Sequence, residues 1–317
     1  MIYVEKYSSK SKRMWDTFIS ESKNGVFLFY RDYMEYHSDR FSDYSLLFFD
    51  DKTDKLLAVM PANITGDIVY SHAGLTFGGI VSGYDMKTHV MMEIFSALID
   101  FLRREGVSKL IYKAIPKIYH LYPAEEDLYA LFRYGAQLIR RDITSSIYLP
   151  SKVSFDKNRI RSVKKGLKNG IVVKRSYDFR AFMSIVEEVL RGRHNTKPVH
   201  TAEEMELLAS RFPDNIKLFA AYKGSKMLAG TIIYESNKNV AHAQYIANSK
   251  EGMKLGALDV VFDYLIDEYY PKTEKIYFDF GISTENEGNY LNVGLIRYKE
   301  GFGARGIVHD FYEVIIK

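Results

Sequence analysis

Residues 275–303, KIYFDFGISTENEGNYLNVGLIRYKEGFG, form the stretch from which the rest of the chain is best read. In its opening run, 276–280, Ile276, Phe278 and Phe280 alternate with Tyr277 and Asp279, the two-residue period of a strand. A polar, glycine-containing loop (GISTENEGN, 281–289) leads to a helical segment from 290 to about 300, closed by Gly301, Phe302 and Gly303. A strand that carries an acid to its C-terminal end, followed by a polar loop and a helix, commonly builds a site in an α/β protein. The same pattern also serves as a plain connection in which Asp279 caps a turn.

The flanking sequence alternates strands and helices. Upstream, 255–269 predicts an amphipathic helix with Leu258, Val261, Phe262, Leu265, Ile266 and Tyr269 on one stripe. Before it lie a long strand at 239–248 and a hairpin, 218–222 and 227–235, over KGSK. Thr201 and Glu204 have capping-box spacing for a helix that ends before Pro213, and Asp178 caps another that runs to about 191. The second half opens with a helix at 155–169, expected to turn Ile160, Val163 and Leu167 inward, and a strand at 171–175. A strand at 307–316 closes the chain.

The first half repeats this order. A strand at 2–6 and a helix at 12–22 precede a hairpin, 44–49 and 56–64, around DDKTD. A glycine-rich segment at 71–83 leads to a helix at 88–104, with Val90, Ile94, Leu98 and Leu102 spaced by four. A strand at 109–113, a helix at 125–134 and a strand at 137–149 complete the half. Lys55-Leu56-Leu57-Ala58 and Lys226-Met227-Leu228-Ala229 follow the two hairpin turns at an offset of 171 residues, and the later elements find partners at about the same offset. The expectation is an α/β (α+β) chain of two tandem lobes, 1–150 and 151–317, with a cleft between them.

Composition narrows the function. With 317 residues the chain exceeds a single core, and 47% hydrophobic with 26% charged residues describe an ordinary globular protein. It has no cysteine, which excludes disulfides, thiolate nucleophiles and cysteine-ligated metals, and fits a reducing cytoplasm. No segment reads as a signal peptide or a membrane span, so a cytoplasmic location is expected. A net charge of +4 is too mild to imply nucleic acid by itself.

Each half, read as a hairpin, long strand, helix, strand, helix and last strand, resembles the GNAT acyltransferase fold. Two such units in one chain resemble the FemAB-like group, transferases that add aminoacyl or acyl groups to cell-envelope precursors. The most specific match runs from Phe278-Asp279-Phe280-Gly281 through Gly294-Leu295 to Tyr298-Lys299 and Phe302-Gly303, with the basic RIRSVKKGLKNGIVV as a second. The resemblance implies an acyltransferase, with acyl-CoA (acetyl-CoA) as co-substrate and no metal. The acceptor would be an amine or hydroxyl of a small-molecule, nucleotide-linked or lipid-linked precursor. Two departures qualify this. The 191–214 span lacks room for the long helical arm of the tRNA-using members, which argues against tRNA. Lys254 stands where the GNAT diphosphate signature has a glycine. A tRNA-dependent aminoacyl transferase of peptidoglycan and a binding or scaffold protein without chemistry are the alternatives.

The resemblance places Lys299 near the transferred carbonyl, where a fixed cation stabilises negative charge; otherwise it is a solvated lysine paired with Glu300 or Glu285. It also places donor binding at Tyr245, Ile246 and Ala247 on the long strand and at Lys254, Leu255, Gly256 and Ala257 at the next helix, whose first N–H groups suit a diphosphate. Strand alternation puts His242 and Gln244 on one face and Tyr245 on the other. His242 is a candidate base or a hydrogen-bonded core residue; Asp279 and Glu285 are rival bases. Arg193, His194 and His200 in RGRHNTKPVHT, and His72 in SHAGLTFGG, are candidate acceptor ligands, with no carboxylate or cysteine at metal-ligand spacing. Lys157, Arg161, Lys164, Lys165 and Lys168 form a basic face suited to phosphate or a peripheral anionic membrane surface, or simply to water.

Overall fold

The computed structural model describes residues 1–194 and 196–317, with the side chains of 193 and 194 outside the description. The chain divides into two compact units. One comprises Met1–Asp142, Asn286–Tyr290 and Val308–Lys317; the other comprises Ile143–Glu285 and Leu291–Ile307. Each unit has mostly antiparallel strands flanked by helices.

In the first unit, β1 (Ile2–Lys6) is followed by α1 (Lys12–Glu21), β2 (Leu46–Asp50) and β3 (Leu56–Met60). The three strands form an antiparallel sheet. β4 (Ile68–Tyr70) precedes α2 (Thr88–Arg104) and pairs in parallel with β5 (Lys109–Lys113), which also pairs with residues 311–315. The four-residue spacing in α2 buries Ile94, Leu98 and Leu102 against Phe48, Met60 and Leu110. α3 (Glu126–Arg133) and β6 (Gln137–Tyr148) follow; residues 143–148 of β6 belong to the second unit.

The second unit continues with α4 (Lys157–Lys168), β7 (Val172–Ser176), α5 (Phe179–His194), α6 (Ala202–Arg211), β8 (Ile216–Lys223), β9 (Lys226–Glu235) and β10 (Val240–Asn248). Then come α7 (Lys250–Leu255), α8 (Ala257–Asp263), β11 (Tyr277–Ile282), α9 (Val293–Glu300) and β12 (Arg305–Ile315). Strands β7 to β10 are antiparallel in sequence order, β10 pairs in parallel with β11, and β11 pairs antiparallel with β6. Ala229 joins the core under α8, whereas a Cβ on its neighbour Gly230 would meet the Phe182 ring of α5 at 3.1 Å. Helices α5 and α8 therefore cover opposite faces of the sheet. The expected capping box holds: the Thr201 side chain accepts from the Glu204 N–H and the Glu204 carboxylate from the Thr201 N–H.

Three local expectations are corrected. The helix expected at 255–269 is two helices and a π-helical turn, with Gly256 at φ +79° between α7 and α8. A side chain cannot occupy that bend, since a Cβ would lie 2.6 Å from the Ser162 carbonyl oxygen of α4. The helix expected from 290 starts at Val293, where the Asn292 side chain accepts from the Leu295 N–H and fixes the boundary. Ile160 and Leu167 are not inward-facing; they are 40% and 55% exposed. Val163 and Gly166 take the inner side instead, because Gly166 lets α4 approach Val260 too closely for any side chain.

Candidate functional site

The site forms where β10 and β11 part. Their parallel ladder covers Val240–His242 and Tyr277–Asp279, and among the described residues it stops there. Each strand then departs from regular pairing. β10 bulges at Gln244 against β9, and β11 bulges between Asp279 and Ile282 against β6, with Gly281 at φ +77°. Parallel strands that diverge at their C-terminal ends open a crevice suited to a ligand. His242 and Asp279 stand at the last rung.

Asp279 is fully buried, and both of its carboxylate oxygens are engaged. Oδ2 lies 2.7 Å from His242 Nδ1, and Oδ1 accepts from the Thr144 hydroxyl at 2.5 Å. A buried carboxylate held this way fixes the imidazole tautomer, with the proton on Nδ1 and the neutral ring's lone pair on Nε2. Gly281 borders the ring edge: a Cβ there would sit 3.4 Å from His242 Cε1.

Lys299, on α9, pairs with neither Glu300 nor Glu285. Its ammonium donates to the carbonyls of Gly281 and Ile282, at 2.8 and 2.7 Å, and the side chain is buried. Burial pushes the ammonium down to about 8, opposed by the attraction of Asp279. The residue thus ties α9 to the β11 bulge while holding a cation beside the His242–Asp279 pair.

The remaining candidates divide. Glu285 is exposed and accepts from Asn292, so it braces the cap of α9. Tyr245 and His200 are brought together: the tyrosine hydroxyl lies 2.7 Å from His200 Nδ1 and accepts from the His200 N–H. Burial raises the Tyr245 hydroxyl to about 12. The Gln244 bulge overturns the simple alternation. Ala241, Ala243 and Ile246 face the α8 core, which leaves His242 and Tyr245 on the same opposite face. Ala247 is buried. His72 belongs to the first unit, buried against Phe41 and His37, and burial holds its ring down to about 3. The side chains of Arg193 and His194 lie outside the described residues.

The expected diphosphate cradle is closed. Lys254 is exposed and Leu255 half-buried, but Gly256 and Ala257 are buried, as are Leu258 and Asp259 in the first turn of α8. Ser162 of α4 lies on Gly256, and the Asp259 carboxylate pairs with Arg159 at 2.5 Å. A covered turn that already carries a carboxylate does not fit a CoA diphosphate. Among the described residues, no group of three or more metal-ligating side chains comes together.

Sequence reasoning missed Thr144. The alternation of Thr144 and Ser146 along DITSSI was a legible signal, since two hydroxyls on one strand face opposite Asp279 can serve a buried acid.

This is the FemAB-like double-GNAT fold. The FemX crystal structure matches 98% of this chain and 97% of its own, with a TM-score of 0.69 at 11% identity. The structure of L-PGS from Bacillus licheniformis matches 99% of this chain and 93% of its own, with a TM-score of 0.60 at 13% identity. The C-terminal domain of a putative lysylphosphatidylglycerol synthetase from Agrobacterium fabrum gives 96%, 92%, 0.60 and 12% by the same measures. At these identities the likeness is one of fold. No protein-family model and no curated protein sequence matches the chain.

Proposed function

We propose that this chain is an acyltransferase that moves an acyl or aminoacyl group onto an amine or hydroxyl of a cell-envelope or polysaccharide precursor. The observation that carries the reading is the buried Thr144–Asp279–His242 chain of hydrogen bonds beside the Lys299 ammonium, at the point where two parallel strands part. In such a transfer the acceptor attacks the carbonyl carbon, the carbonyl oxygen gains negative charge and the acceptor loses a proton. His242 takes that proton at Nε2, Asp279 stabilises the resulting imidazolium, and Lys299 supplies positive charge near the oxyanion. Collapse then breaks the bond from the carbonyl carbon to the donor's oxygen or sulfur, and the imidazolium returns the proton to that leaving group. The fold shared with a lysylphosphatidylglycerol synthetase domain supports a lipid-linked or phosphate-bearing acceptor.

The closed first turn of α8 favours a donor other than acyl-CoA. An aminoacyl or acyl ester, including the aminoacyl end of a tRNA, is the second reading, and the covered Gly256–Asp259 turn is what favours it.

The test is calorimetry with acetyl-CoA, longer acyl-CoAs and free CoA, followed by transfer assays with aminoacyl-RNA on lipid-linked and nucleotide-linked acceptors. Transfer from the RNA ester without CoA binding supports the second reading, whereas saturable CoA binding overturns it. Full turnover in His242→Gln and Lys299→Met overturns the assigned site.

A further inference from the structure

We propose that the exposed face of α4 docks the protein onto an anionic lipid surface. The twelve residues of this helix include Lys157, Arg161, Lys164, Lys165 and Lys168 and no aspartate or glutamate. None of these five side chains forms an ion pair with a carboxylate among the described residues; Arg161 bonds only the Asn158 side chain. Two other exposed cations of the unit are paired, with Arg180 bridging Glu203 and Glu206 and Lys226 meeting Glu251. Arg159, the remaining cation of α4, turns inward to Asp259.

The charged face also carries partly exposed apolar side chains. Ile160 and Leu167, 40% and 55% exposed, are seven residues apart and so lie on one side of the helix, with Lys164 between them. α7, which packs against α4, adds Met253 at 44% exposure together with Lys250 and Lys254. Phosphate recognition alone needs the cations and gives no reason to expose isoleucine and leucine among them. An anionic bilayer uses both: lysines reach the headgroup phosphates while apolar side chains enter the acyl boundary. Docking is independent of the reaction proposed above and is measured without turnover.

The experiment is co-sedimentation with vesicles of phosphatidylcholine alone and of equal parts phosphatidylcholine and phosphatidylglycerol, at low and high salt. The wild-type chain should bind the mixed vesicles and not the neutral ones. Each lysine near such a surface contributes about fivefold, so Lys164→Gln with Lys165→Gln should weaken binding roughly 25-fold. Ile160→Gln with Leu167→Gln should weaken it about tenfold or more. All four positions are exposed, and circular dichroism confirms that the variants fold. No binding to mixed vesicles at low salt overturns the proposal, as does binding that neither pair of substitutions changes. Binding to an RNA duplex that depends on Lys164 and Lys165 but not on Ile160 and Leu167, without vesicle binding, reassigns the face to nucleic acid.

Discussion

His242 and Asp279 face each other on the last rung of the β10–β11 ladder, with Nδ1 2.7 Å from Oδ2. Because Thr144 donates to the other oxygen, the carboxylate can only accept at both positions, and the ring must offer its proton to it. Asp279→Asn keeps the shape but can present an amide N–H to Nδ1, which forces the other tautomer. Transfer should fall by about 10²- to 10⁴-fold, the usual worth of a positioned base, while the circular dichroism spectrum is unchanged. His242→Gln should lose a similar factor; steady-state kinetics on both variants is the check.

Lys299 sets an alkaline limit. With its ammonium at about 8, transfer should decline as pH rises through that value, since only the protonated form carries the charge held on Gly281 and Ile282. Lys299→Met should start roughly 10²- to 10³-fold lower and lack that limb in a pH–rate profile.

The same lysine has a stability signature. The unfolded side chain holds its proton to about 10.5, whereas the folded one releases it near 8. Between those values the unfolded state binds more protons, so stability rises with pH. Lys113 in the first unit, lowered to about 8 chiefly by burial, adds a slope of the same sign. Urea unfolding of Lys299→Met from pH 8 to 10 should show a shallower rise than wild type.

Gly281 is a conformational requirement. At φ +77° an alanine costs about 1–2 kcal/mol, although its Cβ would make only an ordinary contact at 3.4 Å with His242. Gly281→Ala should lower stability by about that amount in urea titration, and it should also disturb the base by shifting the bulge.

In the first unit, burial raises Asp127 to about 6, while the Tyr112 hydroxyl and the Leu128 N–H bond its carboxylate. The unfolded group loses its proton near 3.8, so between there and 6 the folded state binds more protons and stability falls as pH rises. The two values imply a loss of roughly 3 kcal/mol across the window. Thermal unfolding of Asp127→Asn between pH 4 and 6 should lack this component.

Locally encoded features were legible in the residues alone. The boundaries of α2 and β5, the capping box of α6 and the β8–β9 hairpin follow from periodicity, caps and turns, which depend on neighbours a few residues apart. His242, Asp279 and Lys299 could be named as candidates from residue type and resemblance. Their mutual geometry could not, because it depends on strand register across distant parts of the chain.

The sequence by itself determined most of the strand and helix segments and which side chains are available for chemistry. Only the tertiary structure decided that Thr144 reaches Asp279, that the Gln244 bulge turns Tyr245 to the side of His242, and that α4 closes the first turn of α8. It also decided that Ile160 and Leu167 face solvent. The physical reason is the same in each case. A bulge shifts every later side chain to the other face, and α4 turns toward α8 the side on which Gly166 allows close approach. Neither choice is written in the local period.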